Sequence, residues 1–403
     1  MTTAVTTLPT LVYQDDASLD EVHEAAAVAL RQGPIALGPY GIPEVLSHDL
    51  VRTVLRDPRF VTPQGLGLVV RGITSGPIWD RVSKWLMSLN GAEHRRLRRL
   101  VAKAFSPRTA ERMRNSCVEV IKALVDRQIG AGSFDFVADI AKPYPVAVIC
   151  SLIGAPWEDW QRLTGWVADI SKALGMRVVG REQVILEAFQ SLEAYVEELI
   201  AARRQSLTDD LLSELIRAED QGDRLTHDEL VSIALLLFVG GTDTTRYQLA
   251  AAVQALAEHP DQWQLLANRP DLAPQAVHEL MRHTPVVFKV LRQAVEDVEL
   301  AGEYFPAGSF VVANLAAANR DPSVYDAPDR LDITREGVPA MLSLGNGAHY
   351  CMGVHLARIE LTEALRVITA KVANPRRTGP APWKGFPEIT GPRTLPLAFD
   401  AAR

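Results

Sequence analysis

The sequence predicts a mainly helical fold with a small β region. Apolar residues recur at helical spacing through most of the chain, and short apolar runs broken by Pro and Gly gather near both ends. A single helical pattern also runs unbroken from Thr226 to Pro260. Length alone would suggest two or three domains for 403 residues. No linker, repeat or low-complexity tract divides the chain, so residues 1–403 read as a single domain with a poorly ordered tail over 1–17.

Composition narrows the class. With 47% hydrophobic and 23% charged residues the chain can bury a large core, and a formal charge of −7 argues against a nucleic-acid partner. Cys117, Cys150 and Cys351 form no Cys-x-x-Cys pattern, which fits a reducing cytoplasm and excludes a zinc cluster. Met1 to Thr10 is Thr-rich and has no basic-then-apolar leader, so no signal peptide is expected. The longest apolar run, Val231 to Gly241, is too short to span a bilayer. A soluble, cytoplasmic protein that binds no membrane is expected.

In chain order, Leu19, Val22, Ala26 and Leu30 mark a first amphipathic helix over Ser18 to Gln32. Ile35 to Leu37 and Glu44 to Leu46 read as brief strands, and His48 to Arg56 as helix up to Pro58. Val61 to Pro77 interleaves Gly65, Gly67, Gly72 and Gly76 with Leu66, Leu68, Val69, Val70 and Ile73, a long apolar loop suited to covering something. On the helix that follows, His94 and Arg98 share one face, while Arg95, Arg96, Arg99 and Lys103 lie around the others. In an acidic chain so local a basic cluster suits an acidic partner. Helices are expected over Thr109 to Ile129, Lys142 to Ile153, Pro156 to Leu174 and Glu182 to Arg204, with Gly175 to Gly180 a connection able to flex as a lid.

Thr226 and Glu229 form a capping box that opens the long helix. In its middle, Gly240-Gly241-Thr242-Asp243-Thr244-Thr245 is poor helix-forming sequence, and a Gly pair invites a kink. That placement makes sense where a widened turn admits a ligand faced by an acid and a hydroxyl. Glu279 and Arg282, three apart on a helix, can pair. Pro285 to Leu291, which holds Val286, Val287 and Phe288, is apolar except for Lys289 and is followed by Arg292. Val295 and Val298, then Phe310 to Val312, read as strands around Pro306 to Gly308, and Phe386 to Phe399 as a further small β element.

The chain is organised around Leu342 to Gly353. Gly345 and Gly347 precede Cys351, Gly353 follows it, and a helix over Leu356 to Leu365 points its positive end back at the sulfur. Both features favour a thiolate able to bind iron. The segment resembles the haem-binding loop of the cytochrome P-450 family, Phe-x-x-Gly-x-His-x-Cys-x-Gly, with Gly347, His349, Cys351 and Gly353 in place and Leu344 where the family has Phe. Gly240, Gly241, Asp243 and Thr244 match the family's Ala/Gly-Gly-x-Asp/Glu-Thr pattern, and four motifs recur in the family's order from about His48 onward.

The resemblance implies a helical triangular prism holding haem b on Cys351, with His94, Arg98, Arg292 and His349 on its propionates and Gly240, Gly241, Leu344, Gly345 and Gly353 around it. It implies a monooxygenase in which Asp243 and Thr244 relay protons for dioxygen cleavage. Leu66, Val69, Val239, Val286, Val287, Phe288 and Ile389 are the expected substrate wall, and Glu279, Arg282 and Arg330 a structural triad. With no flavin or iron–sulfur domain in the chain, a separate ferredoxin and its reductase are the implied electron donors. Two alternatives stay open: the same haem chemistry diverted to desaturation, ring closure or oxidative coupling, and a non-catalytic haem sensor or carrier.

Overall fold

The computed structural model describes residues 8–14, 17–102, 105–174, 178–220, 225–385 and 389–401. Its centre is the helix His227–Glu258, whose buried residues lie on every side of its axis. At about 1.5 Å per residue it spans about 50 Å. It packs against the helices Pro143–Ile153, Trp160–Ile170, Glu182–Gln205 and Val354–Lys371, and one apolar core runs through all of them. The capping box forms as expected, with the Glu229 N–H donating to Thr226 Oγ1 and the Thr226 N–H to Glu229 Oε2.

The helical backbone continues through Gly240 and Gly241. The Thr242 and Thr244 hydroxyls turn back and donate to the carbonyls of Phe238 and Gly240, at 2.7 and 2.8 Å. The two glycines serve packing in different ways. A Cβ on Gly241 would lie 2.7 Å from Ile149 Cδ1, whereas one on Gly240 would meet nothing within 4 Å.

Three small sheets flank the helices. The largest runs in the order Ile35–Leu37, Pro43–Val45, Phe310–Asn314, Lys289–Ala294, Phe60–Val61, and only the second and third of these pair in parallel. Ser133–Asp135, Pro396–Ala401 and Val372–Arg377 form a second sheet, and Val298–Leu300 pairs with Glu303–Phe305. The tail expectation fails over 8–14. Leu11 is buried, its N–H donates to the Leu37 carbonyl at 2.9 Å, and the Leu37 N–H donates to Pro9 at 2.8 Å.

Helix boundaries moved where backbone chemistry outweighed periodicity. Thr109 to Ile129 divides into Pro107–Arg112 and Arg114–Gln128 at Met113, whose ψ of −10° breaks the register. A wide helical turn, Val137–Ala141, precedes Pro143–Ile153, where Pro143 and Pro145 sit in a first turn that needs no N–H. The loop over Val61 to Pro77 contains a tight turn, Leu66–Arg71, with Gly65 and Gly72 both left-handed at its ends. Of the lid connection, Gly175 to Arg177 lie outside the described residues.

The structural triad has a different third member. Arg282, 1% exposed, bonds both oxygens of Glu279 at 2.7 and 2.8 Å. The second arginine on Glu279 is Arg335, at 3.2 Å, and not Arg330. Arg330 points its side chain outward to Asp332, 69% exposed, and contributes only its backbone carbonyl to Arg282 and Arg335. Two sequence-near arginines were equivalent by spacing, and only chain direction separates them. Arg282 also donates to the Asn319 and Pro328 carbonyls, so one guanidinium ties the helix Ala273–His283 to the segment leading to Cys351.

Glu279→Ala leaves Arg282 buried without its counter-charge and is expected to cost about 3–5 kcal/mol. Arg330→Ala, an exposed change, is expected to stay within about 0.5 kcal/mol. Urea unfolding midpoints of the two variants check the assignment; equal losses would return Arg330 to the triad.

Candidate active site: a cysteine, histidines and arginines around one cavity

The helices and the large sheet enclose a cavity of about 580 Å³. Cys351 stands in its wall, on a loop closed by its own N–H donating to the Leu344 carbonyl at 2.9 Å. Gly347 is essential to that loop. Its φ is +68°, and a Cβ there would lie 2.4 Å from the Leu55 carbonyl oxygen, so only glycine fits against the helix His48–Arg56. Gly345, also left-handed, Leu344 and Gly353 line the same cavity.

The electrostatics of Cys351 differ from expectation. Burial pushes its thiol above the ordinary value, and the Gly353 N–H with Arg98 and Arg358 only partly offsets this. A bound metal cation would favour loss of that proton.

His94, Arg98, Arg292 and His349 face the cavity with Cys351, as do Lys289 and Lys384. His94 and His349 stack with ring centroids 4.3 Å apart, and His349 Nε2 lies 3.3 Å from Asn90 Oδ1. Asn90 in turn pairs with the Thr62 backbone at 2.7 and 3.2 Å, which locks the ring plane. Arg98 donates to the Tyr350 carbonyl at 2.5 Å, beside Cys351. Arg292 donates only to its own strand's Leu291 carbonyl, and burial lowers its guanidinium to about 10. Burial likewise lowers His349 to about 3 and His94 below its usual value. No described carboxylate pairs with Arg292 or Arg98. Buried guanidinium groups without counter-ions are costly unless an anion arrives with the ligand. A ring carrying two carboxylates and an iron open to a thiolate fits this donor set.

On the opposite side, Gly240, Gly241, Asp243 and Thr244 line the cavity. Asp243 is buried and pairs with Arg246 at 3.3 Å.

A family model, Cytochrome P450, matches residues 176–268 and 261–368. The chain is 36% identical over 363 residues to the luteothin monooxygenase of Streptomyces thioluteus, covering 89% of this chain and 88% of that protein. The chain belongs to the cytochrome P450 family. It is also 38% identical over 370 residues to the mycinamicin IV hydroxylase/epoxidase of Micromonospora griseorubida, covering 90% and 91%. The crystal structure of CalO2 superposes with a TM-score of 0.90 at 30% identity, over 98% of this chain and all of that one. The chain is a cytochrome P450 monooxygenase with the mainly helical P450 fold, and its cofactor is haem b carried on a cysteine thiolate. Its substrates are a small molecule and dioxygen, and no helix among the described residues is long and apolar enough to cross a membrane.

The predicted substrate wall is partly revised. Leu66, Val239, Val286, Val287 and Ile389 line the cavity. Val69 does not; in the tight turn its neighbour Val70 takes that face. Phe288 turns away into a satellite core with Val22 and Ala316. Ile233 and Leu237 also line the cavity, and their spacing from Gly240 and Thr244 on one helix face could have revealed them. Glu360 could not be read from sequence. It faces the cavity fully buried, with Oε2 unpartnered, and burial keeps its carboxyl neutral far above the usual range.

The basic cluster is smaller than its sequence suggests. Arg96 bonds Glu229 of the long helix and so acts as a tether between helices. Lys103 lies outside the described residues. Arg95 and Arg99 are exposed.

Proposed function

We propose that Cys351 supplies the axial thiolate, that His94, Arg98, Arg292 and His349 hold the haem propionates, and that Asp243 and Thr244 form the proton path. The observation that carries this reading is the single cavity shared by all of these groups. When bound, the haem supplies dioxygen activation, and thiolate ligation favours O–O cleavage. The net change is C–H plus O₂, two electrons and two protons giving C–OH plus water. The substrate proposed is an apolar or partly polar organic molecule, since Leu66, Val239, Val286, Val287 and Ile389 offer it carbon surface.

The protein's own part is to orient, exclude water and deliver protons. Thr244 presents a hydroxyl that already donates to the Gly240 carbonyl at 2.8 Å, leaving its oxygen to accept from the cavity side. Asp243, adjacent in the same helix turn, relays protons to the water that Thr244 orients. Electrons come from a separate ferredoxin and its reductase in the cytoplasm, a compartment supported by free Cys117 and Cys150. The proposed docking face carries Arg95 and Arg99, on the helix Gly91–Ala102 whose inner face holds His94 and Arg98.

Thr244→Ala is expected to raise the peroxide released per electron while leaving substrate affinity unchanged. Asp243→Asn is expected to slow turnover by about 10²-fold, the scale of losing one positioned proton donor. NADPH consumption with a surrogate ferredoxin and reductase, assayed for peroxide, reads both, and unchanged values in both variants would remove the proton path. Reversing Arg95 and Arg99 to Glu is expected to slow first-electron transfer from an acidic ferredoxin at low ionic strength and to flatten its salt dependence. Stopped-flow reduction rates measured against salt check this; identical curves for variant and wild type would return these residues to an ordinary solvated face.

A further inference from the structure

Asp243 has little direct access to solvent in this structure. Its side chain is 5% exposed, and its ionic partner Arg246, one turn along the same helix, is 11% exposed. The Arg246 Nη2 stands 3.3 Å from Asp243 Oδ1, while its buried Nε has no hydrogen-bond partner. The Arg246 guanidinium carbon lies 4.2 Å from the centroid of the Tyr247 ring, and the Lys384 ammonium lies 5.8 Å from the same centroid. Tyr247 is itself held in place. The chain near the C-terminus approaches so closely that a Cβ on Gly391 would stand 2.7 Å from Tyr247 Cβ and Cδ1. Lys384 and Ile389, on that same segment, line the cavity.

A buried guanidinium with an unspent donor is a poor way to gain stability, since an apolar side chain of similar volume would serve as well. An aromatic face does something different: it fixes the plane of a guanidinium without neutralising it. We propose that Arg246 is a positioning residue for the proton path. Stacked on Tyr247, it latches the Asp243 carboxylate in the cavity wall beside Thr244.

The inference rests on the reading of Asp243 and Thr244 as the proton path. Arg246 stays charged and transfers no proton itself. Without added organic substrate, O₂ with two electrons and two protons leaves as hydrogen peroxide, and with four of each it leaves as two waters. Well-timed proton delivery favours the second outcome. Tyr247 joins the latch to Lys384, which lines the cavity, so the same stack links the substrate wall to the acid.

The experiment uses the full-length, haem-loaded protein with a surrogate ferredoxin, its reductase and NADPH, and no organic substrate. Peroxide formed per dioxygen consumed is measured for wild type, Arg246→Met, Arg246→Lys, Asp243→Asn and the Arg246→Met/Asp243→Asn pair, each normalised to haem content. Arg246→Met is expected to raise the peroxide fraction several-fold and to slow dioxygen consumption by up to about 10²-fold, the scale of an ångström-sized misplacement. Arg246→Lys is expected to recover part of both. In the Asp243→Asn background Arg246→Met is expected to add nothing, because a latch acts only through what it holds. A crystal structure of ferric Arg246→Met is expected to show the Asp243 carboxylate displaced from Thr244, a readout independent of turnover. Additive effects in the pair, or a wild-type peroxide fraction and Asp243 position in Arg246→Met, would overturn the latch while leaving the proton path standing. Wild-type behaviour of Asp243→Asn would instead overturn the reading beneath it.

Discussion

Burial of positive charge without counter-ions is the constraint on which the site depends. Arg292 is buried with nothing acidic beside it, and its guanidinium drops to about 10 as a result. His349 is driven to about 3 and is therefore a neutral ring at physiological pH. A chain selected for stability alone would place carboxylates next to these groups or replace them with apolar residues. Their arrangement around Cys351 is favourable when a dianionic ring occupies the cavity, and ligand binding and fold stability are then linked. Cys351 obeys the same logic: burial raises its thiol, and a bound iron would supply the offsetting charge.

The scaffold brings these groups together through backbone contacts more than through side-chain pairing. Arg282 gathers the carbonyls of Asn319, Pro328 and Arg330, and Asn319 then accepts from the Leu342 N–H at 2.7 Å and donates to Ser343 Oγ at 2.7 Å. Ser343 closes the circuit on the Met281 carbonyl at 2.6 Å. The loop that carries Cys351 is thus anchored at its base by the helix Ala273–His283, and Gly347 seats its far side on the helix His48–Arg56. Rigid elements on both sides leave the sulfur little freedom.

Where a residue's role follows from local chemistry, the sequence was a reliable guide. The capping box at Thr226, the left-handed glycines before Cys351 and the helix face shared by His94 and Arg98 all depend on neighbours a few residues away. Pairings across the fold were less legible. Arg335 and Arg330 lie five apart, and only the path of the chain decides which one reaches Glu279. Val69 and Phe288 were misassigned because hydrophobicity alone does not reveal which way a side chain turns. Gly240 and Gly241 do not interrupt the helix, although their propensity weakens it there. Arg246 and Glu360 look like ordinary charged helix residues in sequence, and only their burial distinguishes them.

The central claim is that Cys351 ligates iron in a cavity whose cations await the haem carboxylates. The most direct measurement is the ferrous carbon-monoxide difference spectrum of wild type beside Cys351→Ser and Cys351→Ala, reconstituted with haem. The account predicts the red-shifted band of thiolate ligation in wild type and its loss in both variants, with haem still retained through Arg98 and Arg292. The same red-shifted band in either variant, or none in the wild type, would contradict it.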